Sequence, residues 1–132
     1  MTFITMIEVK TAELIGPALR HAVATALGYT KGEGQWCEPA WFDNHGRLVA
    51  QFNLWMPDFD WSQGGPLIEQ YQIWLTGPFR RRKSWKASSG RASDCVFAKS
   101  EREGLSPLVA AMRCLVAGRY GDTVQVPEEL LP

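Results

Sequence analysis

The amino-acid sequence predicts one α+β domain, an antiparallel sheet with helices packed on it in a sandwich-like arrangement. Three observations carry that expectation. Two segments of helical period each open on a proline and close on a glycine. Short strand-like segments lie between them, separated by Gly, Pro, Asn and Asp. The length, 132 residues with 45% hydrophobic, suits a single core spanning 1–132.

Phe3 to Val9 alternates well enough for a first strand ending at Lys10, and Thr11 to Ile15 reads as a connector. Gly16-Pro17 is a helix start, and the helix expected over Pro17–Leu27 sets Leu19, Ala22, Val23 and Ala26 on one face. Gly28 ends it. Tyr29 to Pro39 is polar and reads as a loop. Trp41-Phe42, the turn Asp43–Gly46 and Arg47–Phe52 read as a hairpin. Asp60 caps a helix expected from Trp61 to about Tyr71. Gly64, Gly65 and Pro66 inside it predict a distorted helix, or a turn with a short helix starting at Pro66.

Strands are expected at Gln72–Thr76, Ser84–Ser88 and Asp94–Ala98, with Gly77–Lys83 a basic connection and Lys99–Leu105 a charged loop. Ser106-Pro107 caps and opens a last helix running to about Tyr120, with Leu108, Ala111, Met112 and Leu115 on one face. Gly121 closes it. Val124 to Pro132 is a tail that packs back through Val124 and Val126.

The charges balance at 14 against 14, which argues against a general binder of nucleic acid or membrane surfaces. The three cysteines, Cys37, Cys95 and Cys114, are an odd number without tight spacing, as suits a reducing compartment. Met1–Lys10 lacks the basic start and apolar run of a signal peptide, and no segment has the ~18 apolar residues of a membrane span. A cytosolic protein is expected.

No metal and no cofactor is expected. His21, His45 and the cysteines lack ligand spacing, and His21, beside the apolar stripe of its helix, reads as a structural or surface histidine. No nucleophile elbow or Cys–His pattern is present, so no catalytic residue is assigned and the chain reads as a non-enzyme. Cys114 on the last helix reads as a small buried hydrophobe.

Two binding surfaces are candidates. The first joins Trp61, Gln63, Gly64, Gly65 and Arg113, where backbone N–H groups near a helix start favour a small anion such as a nucleotide. The competing explanation is that the glycines allow close packing. The second is the partner-binding set Trp36, Arg80, Arg81, Arg82, Lys83, Trp85 and Lys86. Basic residues mixed with aromatics dock acidic proteins or, less favoured by the balanced charge, nucleic acid; otherwise they form a solvated hairpin tip. Trp61 itself is expected to pack on the last helix near Met112 or Leu115, with Arg113 close to the Gln63–Gly65 turn.

Three blocks then carry a family resemblance. They are Lys10-Thr11-Ala12-Glu13-Leu14 with Gly16, Ala18-Leu19 and Ala22-Val23-Ala24; Asp60-Trp61-Ser62-Gln63-Gly64-Gly65-Pro66-Leu67-Ile68-Glu69; and Ser106-Pro107-Leu108-Val109-Ala110-Ala111-Met112-Arg113-Cys114 with Val116-Ala117, Gly121-Asp122 and Val126-Pro127-Glu128-Glu129-Leu130. In order and spacing, from about Val9 to Leu130, they resemble the NinX family, small accessory proteins of lambdoid phages. The chain departs from that pattern in a longer, tryptophan-rich segment between Gly28 and Pro57 and in the basic run Arg80–Lys83. The resemblance implies a phage or prophage protein in the bacterial host cytoplasm and an α+β sandwich-like domain. It implies no reaction. The function expected is non-catalytic binding of a host protein that alters its activity, with counter-defence its most specific form. The alternatives are sequestration of a small ligand or nucleotide at the Trp61, Gly64-Gly65 and Arg113 region, and nucleic-acid binding through Arg80–Lys86.

Overall fold

Helix α3 (Pro107–Tyr120) packs against more of the chain's elements than any other. Its buried residues, from Leu108 and Ala110 through Met112, Cys114 and Val116 to Gly118, go nearly all the way round, so it has layers on more than one side. Ser106 accepts a hydrogen bond from the Val109 amide at 3.1 Å, the N-cap that the sequence predicts. The computed structural model describes residues 4–34, 37–78, 81–89 and 100–132.

Three antiparallel sheets surround this helix and its partners, consistent with the α+β class. The first pairs β1 (Met6–Lys10) with β8 (Thr123–Pro127), so the tail does return, with Val124 and Val126 buried. A 3₁₀ turn (Thr11–Glu13) leads from β1 towards α1 (Gly16–Ala26). The second sheet is β2 (Thr30–Glu33), β3 (Pro39–Phe42) and β4 (Leu48–Gln51). The third, β5 (Ile73–Thr76), β6 (Trp85–Ser89) and β7 (Ser100–Gly104), follows α2 (Trp61–Gln70) and packs one face on α3.

Several expectations are corrected. The segment read as a loop, Tyr29–Pro39, contains β2, whose residues Thr30-Lys31-Gly32-Glu33 pair with Phe42 back to Pro39. A β-carbon at Gly32 would stand 2.7 Å from the Phe42 ring, so a larger residue would have to displace that ring, and glycine weakens the strand signal. The charged segment Lys99–Leu105 contains β7 rather than a loop. Glu101 and Glu103 point to solvent and Gly104 is buried beneath the start of α3. The strand expected at Asp94–Ala98 lies outside the described residues.

α2 is one helix despite Gly64, Gly65 and Pro66. Asp60 caps it, accepting from the Ser62 amide at 2.9 Å and the Ser62 hydroxyl at 2.7 Å. The glycine at 64 is there for packing. A β-carbon would collide with the Pro57 carbonyl oxygen and reach 2.7 Å from Leu108 Cδ2. Gly64 and Leu67 therefore make the buried face of α2, and Trp61 does not. Trp61 is 54% exposed, with its ring beside Gly65 of its own helix, which overturns its expected place in the core.

Candidate functional site

The residues predicted to form a small-ligand site serve separate purposes. Gln63 folds back onto the preceding turn, its Oε1 accepting from the Met56 amide at 2.8 Å and its Nε2 donating to the Leu54 carbonyl at 2.7 Å. Arg113 reaches from α3 to β7 and to the connector before α1. Its Nε donates to the Leu14 carbonyl and an Nη to the Glu103 carbonyl, both at 2.8 Å. It borders an open cleft with Arg102, Glu101, Glu103 and Ser84. Burial lowers the Arg113 pKa, yet a guanidinium stays charged at neutral pH. Arg113 and Gln63 thus brace two different backbone regions and share no hydrogen-bond partner.

Of the basic and aromatic set, Trp36 and Arg80 lie outside the described residues. Arg81 and Lys83 are exposed. Arg82 turns back, an Nη donating to the Gly77 carbonyl at 3.0 Å, and Lys86 pairs with Glu101 at 2.8 Å. Trp85 is half-buried against the core. The run is therefore divided, part of it bracing its own turn and sheet and part facing water.

A second exposed surface is carried by the segment that Gln63 stitches. Leu54, Phe59 and Trp61 are exposed, Phe59 at 76%. The Phe59 and Asp60 amides both donate to the Met56 carbonyl, and the Trp55 ring is buried with its Nε1 on the Arg20 carbonyl at 3.0 Å. Apolar side chains are thus held in water on a braced backbone.

Beside that segment lies an aromatic cavity of about 340 Å³. One wall is α1, where Pro17, Arg20 and His21 fall at helical spacing and face the second sheet. The facing wall is built by strand alternation. Lys31, Trp41 and Ala50 sit opposite one another in register, and Phe52 continues the same face. Trp41 stacks on Phe52, centroids 4.8 Å apart and planes 18° apart. His21 meets Trp41 edge-on at 5.4 Å. Lys31 Nζ stands 5.9 Å from both ring centroids. Trp55 closes one end, next to the Arg20–Asp58 ion pair at 2.7 Å.

His21 is 7% exposed and its Nδ1 is buried without a hydrogen-bond partner among the described residues. Burial first, and the Lys31 charge second, hold its pKa down to about 4, so the imidazole is neutral at physiological pH. Of the two readings of His21, structural or surface, the structural one holds, because the ring is buried. The sequence signal for this cavity was the Pro17, Arg20, His21 spacing on one helix face.

Cys114 is buried, and desolvation raises its thiol pKa, so it packs rather than reacts. Among the described residues no group of three His, Cys, Asp or Glu could hold a metal ion, and no helix is long and apolar enough to cross a membrane.

The family model described as Bacteriophage P22, NinX matches residues 10–119. The chain belongs to the NinX family. The match takes in α1, which is the aromatic cavity's helical wall, the Asp60–Glu69 block and all of α3 but its last residue. Membership makes it a phage accessory protein of unassigned function. No curated protein matches the chain.

Proposed function

We propose that this NinX-family protein acts by binding a host protein in the infected cell's cytoplasm and altering its activity, without catalysing a reaction. Counter-defence is the form that best suits a phage accessory protein. The observation that supports this reading is the exposed apolar set Leu54, Phe59 and Trp61 on a backbone braced by Gln63 and the Asp60 cap. Large aromatics dominate interface energetics, and a surface held rigid before contact loses little entropy on binding. Arg81 and Lys83, exposed on the basic connection, offer a further charged contact.

The test is a stoichiometric one. The tagged protein is captured from infected cells, its partner purified, and the partner's activity titrated. Binding predicts an effect that saturates near one protein per partner and that Phe59→Ala with Trp61→Ala weakens by about tenfold or more. Full effect at a small fraction of the partner's concentration would mean turnover and would sink the proposal. So would a double variant that captures and inhibits as well as the parent.

A further inference from the structure

We infer that the cavity between α1 and the β2–β4 sheet is a binding site for a nucleoside monophosphate, the base entering among the aromatic side chains and the phosphate lying toward Arg20 and Lys31. The site is separate from the exposed Phe59 and Trp61 surface, and the inference does not rest on it.

Four observations converge. The walls are flat rings: Trp41 and Phe52 stacked, His21 edge-on, Trp55 across one end. Trp41, Trp55 and His21 are nearly closed off, so Phe52, half-buried at the wall, is the ring that a planar base would meet. The volume, about 340 Å³, falls at the lower end of the roughly 300–1,000 Å³ of small-molecule sites, enough for a base with its sugar.

The polar groups are few and placed as a ligand would need them. Asn53 is exposed at the cavity wall with both an amide donor and a carbonyl acceptor, the pair that reads a base edge. His21 Nδ1 is buried and has no partner among the described residues. Its ring borders this cavity and also a second cleft beside Thr25 and Tyr120, and Asn53 is the exposed polar group that a base edge would meet.

The charge is positive where an anion would sit. Arg20 borders the cavity, and Asp58 engages its Nε, leaving the other guanidinium N–H groups as donors. Lys31 stands over Trp41 and Phe52 and has no carboxylate partner among the described residues. Arg20 at the cavity and Lys31 beside its Trp41–Phe52 wall, against the Asp58 carboxylate, leave a local net positive charge, which favours a phosphate over a neutral nucleoside.

The experiment is calorimetric titration of the purified protein with adenosine 5′-monophosphate, guanosine 5′-monophosphate, adenosine and ribose 5-phosphate, with tryptophan fluorescence read in parallel. At least one nucleotide is expected to bind at about 100 µM or tighter. Adenosine should bind about tenfold more weakly than its monophosphate, and ribose 5-phosphate more weakly still. Lys31→Gln, at an exposed position, should weaken the nucleotide several-fold and leave adenosine unchanged. Phe52→Leu should weaken both. Asn53→Ala, exposed and outside the core, serves if the Phe52 variant loses its fold. No heat and no quenching with either nucleotide at about 1 mM overturns the inference. Binding that is unaltered in both Lys31→Gln and Asn53→Ala also overturns it, by placing the ligand elsewhere.

Discussion

The side of the molecule around α3 and the side around the β2–β4 sheet are packed by opposite means. Where β7 meets α3 the chain uses small residues, and the backbones touch: a β-carbon on Gly104 would stand 2.6 Å from the Ala110 nitrogen. Where α1 meets the second sheet the chain uses four rings, and they leave a cavity of about 340 Å³. Small residues close a contact; large flat ones span it and leave room. The first arrangement serves stability and the second can receive a ligand, although both lie within one family match.

The largest effect that would sharpen this contrast is at Gly104. Gly104→Ala puts a methyl against helix backbone, which cannot swing aside, and should cost about 3 kcal/mol in urea unfolding. A cost near zero would mean the contact is loose and the contrast false. Gly64→Ala follows, at about 2 kcal/mol, because the clash with Pro57 and Leu108 outweighs the helix propensity gained.

On the aromatic side the expected signature is pH dependence. The His21 pKa is about 4 in the folded chain against 6.5 for an unperturbed histidine, so the unfolded chain binds more protons between those values. Stability should be fully present above pH 6.5 and fall as pH drops towards 4. A shift of this size corresponds to about 2–3 kcal/mol. Thermal melts of the parent and His21→Phe, compared across that range, check it; an equal slope in both would remove His21 as the cause.

The smallest effect is at Trp61. Being half exposed, it should lose about 1 kcal/mol or less on Trp61→Ala, against the roughly 3–5 kcal/mol typical of a buried tryptophan. A loss in the upper range would return Trp61 to the core and take it from the binding surface.

The sequence made the helices around this contrast readable and concealed much of the sheets. α1 and α3 follow from Pro17 and Pro107 at their starts and from apolar spacing, because capping and period are local properties. β2 and β7 are not local in that sense. Thr30-Lys31-Gly32-Glu33 and Ser100-Glu101-Arg102-Glu103-Gly104 are polar on both faces, so no alternation of apolar and polar marks them. Arg102 explains part of this. It is inward yet satisfied, its Nε donating to Thr11 Oγ1 at 3.2 Å and an Nη to Asp122 at 3.0 Å.

The same holds for the site. Gln63 and Arg113 stand out by chemistry, but tertiary structure spends them on the carbonyls and amides of Leu14, Leu54, Met56 and Glu103. His21, Trp41 and Phe52 come from three separate segments, and only the register of β2–β4 against α1 brings them together.

The measurement that tests the receptive nature of the aromatic side most directly is an amide NMR titration with adenosine 5′-monophosphate. Shifts are expected in Arg20, His21, Lys31, Trp41, Asn53 and the Trp55 indole, while the middle of α3 and Gly104 stay in place. Shifts centred instead on Gln63–Gly65 or Arg113, or none at about 1 mM, would contradict it.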